Sequence, residues 1–191
     1  MSEKGLLIVL SAPSGCGKST VVKRLMELRD NIHFSVSATT RNPREGEVEG
    51  KDYFFISKER FREMIHNNEF LEHAEYVENC YGTPRAAVER ELNAGNDVIL
   101  DIETIGAFQV RDLCPEALMI FLLPPSFEEL ERRLVGRGKD DPEVIRERLV
   151  VARRECERAG EYDYRIVNDD VERVVAEFIK IIETERAKKN S

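Results

Sequence analysis

The segment A-P-S-G-C-G-K-S, residues 12–19, combines small residues with one lysine and one serine, and we call it the phosphate loop. Gly15 and Gly17 let consecutive backbone N–H groups converge on an anion. Lys18 can reach the β- and γ-phosphates of a nucleotide, and the Ser19 hydroxyl can be a ligand of Mg²⁺. The segment has the form of a Walker A loop, with alanine where the usual pattern begins with glycine. A glycine-rich turn that merely joins two elements is the alternative, but the intact G-K-S-T favours a nucleoside triphosphate site.

The contacts expected from this pattern extend one residue to each side of the loop. They are Ser11, Ala12, Pro13, Ser14, Gly15, Cys16, Gly17, Lys18, Ser19 and Thr20. Cys16 lies beside Lys18 at the start of a helix, and both features would stabilise a thiolate. Two interpretations of this cysteine stay open, a reactive thiol that the nucleotide protects and an inert residue that fills the loop.

An acidic residue lies at the end of a second apolar segment, D-V-I-L-D-I, residues 97–102. If this segment is a strand, Asp101 lies at its carboxyl end, where an acid can orient magnesium through water. The alternative is that Asp101 caps a helix that follows the strand. The sequence contains no N-K-x-D, the guanine-reading signature of GTPases, so the pattern favours a kinase.

Cationic and phenolic residues occur in and after the segment S-A-T-T-R-N-P-R-E-G-E-V-E-G-K-D-Y, residues 37–53. Guanidinium groups pair bidentately with phosphate oxygens, so Arg41 and Arg44 suit the phosphate of an acceptor nucleotide. Tyr53 and Tyr81 can add hydroxyl donors. These residues predict a second phosphate site, which holds the acceptor of a phosphoryl group.

A guanine base would need a carboxylate for its N1–H and 2-amino donors and a hydroxyl for its O6 acceptor. Glu69, Glu72 and Glu75 follow the arginines, with Ser37 and Thr83 as hydroxyl candidates. Their chemistry alone does not select one glutamate, since each of the three could equally be a solvated surface charge.

The elements that must position these groups alternate between apolar and amphipathic segments, which predicts an α/β fold with a parallel sheet covered by flanking helices on both faces. The strand candidates are residues 5–11, 34–38, 97–102, 117–123 and 165–168. The helix candidates are residues 19–28, 84–92, 127–135, 142–156 and 171–182, with a short helix whose apolar face is Phe61, Met64 and Ile65. Residues 37–83 break the alternation and predict an inserted substrate lobe. Within it, residues 76–82 are expected as loop or edge strand, and Thr83-Pro84 as the start of a helix.

Composition narrows the function classes. The chain has 191 residues and a formal charge of −8, which argues against non-specific nucleic-acid binding because that binding rests on surplus Lys and Arg. The first apolar run is too short for a membrane helix, and no cleavage-site pattern follows it. Cys16, Cys80, Cys114 and Cys156 are far apart, so neither a zinc site nor a disulfide framework is indicated. We expect one domain with no membrane association and a cytoplasmic location, with monomer and homodimer both open.

The chain resembles the guanylate kinases from end to end. The matching segments are S-A-P-S-G-C-G-K-S-T, S-A-T-T-R-N-P-R-E-G-E-V-E-G-K-D-Y, N-N-E-F-L-E, Y-G-T-P, F-L-L-P-P-S and R-L-V-G-R-G, in the family's order and spacing. The resemblance implies that Glu72 reads guanine, helped by Ser37 and Thr83. The full set implied at the acceptor nucleotide is Ser37, Arg41, Arg44, Tyr53, Glu72, Tyr81, Thr83, Asp101 and Glu103.

The resemblance also implies a mobile lid at about residues 133–157, whose arginines neutralise charge on the transferring phosphoryl group. The implied catalytic set is Lys18, Arg41, Asp101, Arg137 and Arg148. Asn168 and Asp169 correspond to the family's contacts with the adenine of ATP. The family commonly has D-I-D-x-Q-G where residues 101–106 read D-I-E-T-I-G, so Glu103 and Ile105 depart from the pattern.

A chain that resembles this family is expected to transfer the γ-phosphoryl group of ATP to GMP with Mg²⁺, giving ADP and GDP in purine nucleotide metabolism. The expected division is a core of residues 1–36, 84–132 and 158–191, a GMP-binding lobe of about residues 37–83, and the lid. Two rival classes are a scaffold module that keeps the fold for protein interaction and a P-loop kinase for another nucleotide or sugar phosphate. The chain keeps Lys18 and Arg148, which a scaffold module would not need. The combination of Glu72 with Thr83 disfavours a kinase for another nucleotide or a sugar phosphate.

Overall fold

The structure of the protein is a computed structural model that describes residues 4–76, 78–136 and 141–189. Within these ranges the strands are β1 Leu7–Ser11, β2 Ile32–Phe34, β3 Ala38–Thr39, β4 Phe54–Phe55, β5 Phe70–Tyr76, β6 Asn79–Pro84, β7 Asp97–Asp101, β8 Leu118–Leu123 and β9 Tyr164–Val167. The helices are α1 Lys18–Leu28, α2 Lys58–His66, α3 Arg85–Asn93, α4 Thr104–Leu113, α5 Phe127–Gly136, α6 Pro142–Glu157 and α7 Val171–Lys189. A short 3-10 turn, Arg158–Glu161, follows α6.

A parallel sheet with the strand order β2-β7-β1-β8-β9 forms the centre of the protein. Its central strands are continuous apolar runs because both of their faces are covered, and Ile8, Val9 and Leu10 are fully buried. In β1 and β7 the registered partners include Leu10 and Asp101. The carboxyl end of β7 therefore lies beside the carboxyl end of β1, from which the phosphate loop leaves the sheet.

Two helical layers cover this sheet, and the alternation of side chains along β1 divides its residues between them. Ile8 and Leu10 belong to the core on the side of α1 and α7, which includes Leu25 and Phe178. Val9 belongs to the core on the side of α3 and α4. This arrangement confirms the expected α/β class with a parallel sheet and flanking helices.

A second sheet, with the strand order β4-β3-β6-β5, lies within the segment that interrupts the α/β alternation. It has its own small core, in which Phe61 of α2 stacks against Phe70 of β5 with ring centroids 4.5 Å apart. Ala38 and Met64 complete the buried part of this core. The segment thus forms a sheet of its own that carries many of the predicted acceptor residues.

Several sequence-based boundaries differ from the structure. Residues 34–38 do not form one strand, because β2 ends at Phe34 and the chain crosses to the second sheet before β3 begins at Ala38. Residues 76–82 are not an edge segment, because β6 lies between β3 and β5. Thr83 does not cap a helix but lies in β6, one residue before its end, and its side chain donates to Glu72 instead.

The expected apolar face of α2 is partly wrong. Phe61 and Met64 are buried, but Ile65 keeps 37% of its surface exposed. Residues three apart share a helix face, whereas the next residue is rotated by about 100° toward solvent. Across the described ranges no helix is both long and apolar enough to cross a membrane.

Candidate active site

A cavity of about 790 Å³ lies where the phosphate loop, the second sheet and α6 approach one another. Most of the residues predicted from the sequence line it. They are Ala12, Pro13, Ser14, Gly15, Cys16, Gly17, Lys18, Ser19, Ser37, Arg41, Arg44, Tyr53, Glu72, Tyr81, Asp101, Glu103 and Arg148. The fold therefore brings triphosphate, acceptor and lid candidates, which are distant in the sequence, to one space.

The phosphate loop has the backbone that its glycines predict. Gly15 and Gly17 have φ angles of 88° and 93°, which residues with a Cβ rarely adopt. A Cβ on Gly17 would also lie 2.8 Å from the amide nitrogen of Asn168. Because α1 begins at Lys18, the positive end of its dipole points into the cavity. The loop can therefore bind an anion through its backbone.

Lys18 forms an ion pair with the carboxylate of Asp101, and both side chains are partly exposed to the cavity. The pair follows from the sheet, because β1 and β7 are neighbours and end at the same edge. An acid at this place is close to both Lys18 and the exposed Ser19. The pair holds the lysine at the mouth of the phosphate loop.

Two side chains support the phosphate loop from behind. The Asn168 amide donates to the Cys16 carbonyl at 2.6 Å, and Arg133 donates to the same carbonyl at 3.1 Å. Arg133 also donates to the Asn168 carbonyl at 3.2 Å. Sequence reasoning gave no such role to either residue, because their contacts with Cys16 join residues more than 100 positions apart.

The two residues expected at adenine do not line the cavity. Asn168 is buried, and its amide is directed to the loop. The Asp169 carboxylate accepts from Arg173 at 2.8 Å, and this guanidinium lowers the pKa of Asp169. Their contact with adenine stays a prediction.

The structure supports one of the two interpretations of Cys16. The thiol is fully buried and donates to the Leu122 carbonyl at 3.6 Å. Burial raises its pKa to about 12, and the nearby Arg133 and Lys18 only partly oppose this effect. Burial therefore supports the inert interpretation, because desolvation outweighs the neighbouring cations, and the slow reaction of this thiol stays a prediction.

Two more residues of the predicted triphosphate set are not on the cavity wall. The buried Ser11 hydroxyl donates to the Ile102 carbonyl at 2.8 Å and so joins the ends of β1 and β7. Thr20 is exposed on α1, and its N–H donates to the Gly17 carbonyl at 3.1 Å. For both residues a contact with the triphosphate stays a prediction.

The acceptor clamp, by which we mean Arg41, Arg44, Tyr53 and Tyr81, is assembled at one side of the cavity. The Arg41 guanidinium lies 5.4 Å from the ring centroid of Tyr53. The rings of Tyr53 and Tyr81 meet edge to face with centroids 6.0 Å apart. The second sheet is what brings them together, because β3 precedes Arg41, β4 follows Tyr53, and Tyr81 lies in β6.

Glu47, which sequence reasoning did not select, orients this clamp. Its carboxylate accepts from both terminal nitrogens of Arg41 at 2.8 and 2.9 Å and from the Arg44 N–H at 2.7 Å. These contacts, the Arg41 guanidinium first, lower the pKa of Glu47 to about 2. The arginine at the phosphate site is thus held in one orientation by a carboxylate from its own loop. No sequence signal distinguishes Glu47 from Glu45 and Glu49.

Of the three glutamates left open by the sequence, Glu72 is buried at the cavity wall. Its Oε1 accepts from the Thr83 hydroxyl at 2.6 Å, so Thr83 lies behind the carboxylate rather than on the wall. Burial raises the pKa of Glu72, and the hydrogen bonds from Thr83 oppose that shift. Glu69 instead pairs with Arg60 at 2.9 Å on the surface, and Glu75 is exposed.

The α6 side of the cavity carries residues that the sequence did not indicate, among them Val144, Glu147, Val151 and Glu155. Glu155 is half-buried, and desolvation together with the negative charge of Glu103 raises its pKa to about 7. Arg148 lies on the same helix and is half-buried at the wall. Arg137, the other expected lid arginine, lies outside the described residues. The α6 wall therefore presents both a cation and a carboxyl group that is easily neutralised.

Comparisons with known proteins agree with this geometry. A sequence model of the guanylate kinase family matches residues 4–185. A curated guanylate kinase of Clostridioides difficile is 51% identical over 186 residues, which cover 97% of this chain and 91% of that protein. The guanylate kinase of Lactococcus lactis is 52% identical over 97% of this chain and 90% of its own. A crystal structure of guanylate kinase from Anaplasma phagocytophilum has a TM-score of 0.77 at 39% identity, covering 96% of this chain and 87% of that chain.

Proposed function

The chain belongs to the guanylate kinase family and transfers the γ-phosphoryl group of ATP to GMP, and from this premise we propose how the residues of the cavity share that work. The observation that carries the proposal is the buried Glu72 carboxylate at the wall of the cavity that also holds the phosphate loop and the acceptor clamp. The carboxylate suits the base of a nucleoside monophosphate, and the arginines suit its phosphate. The anion-binding loop in the same cavity suits the phosphates of the donor nucleotide.

The donor nucleotide is assigned to the phosphate loop. Backbone N–H groups of the loop and the start of α1 hold the phosphates, and Lys18 moves from Asp101 to their oxygens. Mg²⁺ fits the hard oxygen donors at this place, the exposed Ser19 hydroxyl directly and the Asp101 carboxylate through water. When bound, the ion neutralises charge on the phosphate oxygens. Asn168 and Asp169 remain assigned to the adenine side.

The acceptor nucleotide is assigned to the second sheet. Arg41, oriented by Glu47, and Arg44 pair with the phosphate of GMP, while Tyr53 and Tyr81 donate hydroxyl hydrogen bonds. At the other end, Glu72 accepts from the N1–H and the 2-amino group of guanine. Adenine lacks this pair of donors, so the same contact excludes AMP.

Two further groups complete the acceptor set around the base and the phosphate. Ser37 at the wall supplies the hydroxyl group that the base needs, and Thr83 assists from behind by donating to Glu72. Asp101 and Glu103 line the same cavity, and we assign them to the place where the acceptor faces the donor.

Transfer itself requires the two phosphates to meet in line and water to be excluded. We propose that Arg148 and Arg137 neutralise the negative charge on the phosphoryl group during transfer. The lid of about residues 133–157 closes over this group. The core of residues 1–36, 84–132 and 158–191 stays as the frame, and the lobe of about residues 37–83 carries GMP. ATP and GMP are the partners in this proposal, in a cytoplasmic setting without nucleic acid or membrane.

The experiment that tests the proposal is a coupled assay of ADP release with ATP·Mg and each of GMP, AMP, CMP and UMP in turn. We expect kcat/KM for GMP to exceed each of the others by at least about 100-fold, because only guanine supplies both donors to Glu72. Equal rates with AMP or a pyrimidine nucleotide would overturn guanine reading. Binding of ATP without ADP release from any acceptor would point to a module that keeps only the fold.

A further inference from the structure

Glu72 lies directly against the backbone of α4. A Cβ atom on Gly106 would be 2.6 Å from Oε2 of Glu72 and 3.2 Å from its Cδ. Any side chain at position 106 would therefore occupy space that the carboxylate now uses. A glycine inside a helix is less stable than an alanine. What glycine allows at position 106 is the close approach of the Glu72 carboxylate to the helix backbone.

One turn further along α4, Gln109 binds the backbone next to Glu72. Its Oε1 accepts from the His73 N–H at 3.0 Å, and its Nε2 donates to the His73 carbonyl at 3.0 Å. β5 is an edge strand of the second sheet, so this amide takes the place of a neighbouring strand for one residue. Gly106 and Gln109 are three residues apart and share one helix face.

We propose that Gly106 and Gln109 are positioning residues that set the guanine specificity of Glu72. The proposal rests on the function assigned above to Glu72. Thr83 fixes Oε1 from one side, the bare backbone at Gly106 receives Oε2 from the other, and Gln109 fixes the strand from which the side chain leaves. A carboxylate that accepts from two adjacent donors of a flat base must lie in the plane of that base, and these contacts define the plane.

The structure also ties the two sheets together through this face, because α4 packs on the core while β5 belongs to the acceptor lobe. Gln109 could in principle serve only to cover an edge strand. The two roles differ in what they change. A purely structural contact affects all acceptors alike, whereas a positioning contact affects the acceptor that uses both carboxylate oxygens.

The test compares GMP with inosine monophosphate, which keeps O6 and N1–H but lacks the 2-amino group. The variants are Gln109→Met, which keeps the size and helix propensity but removes the pairing, and Gly106→Ala, which favours the helix but displaces Glu72. Asp112→Ala, at an exposed position of the same helix, is the matched control. The readouts are kcat and KM for both acceptors and the Tm of each variant.

We expect both variants to lower the ratio of kcat/KM for GMP to that for inosine monophosphate by about 5- to 30-fold, through KM for GMP, since small displacements of a binding group have effects of this order. At saturating GMP, kcat should change less than about threefold, because phosphoryl transfer takes place at the phosphate of GMP and not at the base that Glu72 binds. Asp112→Ala should leave the ratio unchanged. If Gln109→Met does not fold, Gly106→Ala carries the test alone.

Two outcomes separate this proposal from the one it rests on. If Glu72→Gln lowers the ratio but neither α4 variant does, the positioning role is wrong while guanine reading by Glu72 stands. If Glu72→Gln leaves the ratio intact, guanine reading by Glu72 itself is wrong. A proportional loss with both acceptors in the α4 variants would also overturn the positioning role, since it indicates a structural contact only.

Discussion

The hydroxyl of Thr83 lies 2.6 Å from Oε1 of Glu72, and both residues are buried at the wall of the cavity or just behind it. The two residues are registered partners in β5 and β6, so the sheet itself holds this hydrogen bond. Thr83 bonds the carboxylate through both its hydroxyl and its backbone, and the carboxylate also lines the cavity, where it can accept from a ligand. A buried carboxylate with one partner inside the protein is prepared to accept two donors from a base.

Replacing Glu72 with glutamine should damage GMP recognition selectively. The variant keeps the size but turns one acceptor into a donor that faces the donors of guanine. The loss of a charged pairing should cost about 2–4 kcal/mol, which corresponds to about 30- to 1000-fold in kcat/KM for GMP. Steady-state kinetics at varied GMP measures it.

Glu69→Gln is the matched control for this prediction. The Glu69 carboxylate pairs with Arg60 and Asn67 on the surface, so kcat/KM should change less than about threefold, as for other exposed ion pairs. If Glu69→Gln proved damaging and Glu72→Gln mild, the assignment of guanine reading to Glu72 would be wrong.

Lys18→Ala should abolish turnover and leave GMP binding nearly intact. The lysine pairs with Asp101 in the structure and lies on the triphosphate side of the cavity. Removing it takes away a cation from the transferring phosphate, for which about 100-fold or more in kcat is typical. Calorimetry should show a Kd for GMP within about threefold of the original, since the acceptor lobe is untouched.

Lys23→Ala, at an exposed position on the same helix, should change neither kcat nor the Kd. A Kd for GMP that rises in step with the loss of turnover in Lys18→Ala would show that the two nucleotide sites are not separable in this way.

Cys16 should resist alkylation in the folded protein. Its thiol is fully buried, and burial raises its pKa to about 12, so almost none of it is thiolate at neutral pH. Cys80, which is half-buried, should react sooner. Peptide mass spectrometry after brief iodoacetamide treatment, with and without ATP·Mg, measures the order. Rapid labelling of Cys16 that ATP·Mg prevents would instead support a thiol that faces the phosphates.

Glu155→Gln should stabilise the protein in alkaline solution. Desolvation and Glu103 raise the pKa of Glu155 to about 7, so the folded state binds this proton more tightly than the unfolded state does. The native protein therefore loses stability as the pH rises from the ordinary value near 4.5 to about 7. Because the group is only half-buried, solvent screening reduces the effect to about 1 kcal/mol.

The difference in Tm between Glu155→Gln and the unmodified protein should therefore depend on pH. At pH 8 it should favour the variant by about 2–4 °C more than it does at pH 4.5. Thermal unfolding followed by circular dichroism at several pH values measures it. Glu147→Gln, on an exposed position of the same helix, serves as the control. A gain for Glu155→Gln that is constant between pH 4.5 and 8 would contradict the raised pKa.

The sequence by itself determined that the phosphate loop and Asp101 meet. The phosphate loop and Asp101 each follow an apolar strand, and parallel strands end at the same edge of a sheet, so their meeting follows from the pattern alone. The arginines of the acceptor clamp were also predicted from the sequence, because guanidinium groups suit a phosphate and their segment has neither helix nor strand periodicity. These are local signals, or consequences of a general rule of sheet topology.

Only the tertiary structure decided which side chains are buried and which partners they meet. Glu69, Glu72 and Glu75 have the same chemistry, and the pairing of β5 with β6 placed one of them opposite Thr83. Burial raised the pKa of Cys16, and the contacts of Glu47, Gly106 and Gln109 depend on how separate segments pack. Desolvation and long-range packing are sums over neighbours that no single segment of the sequence contains.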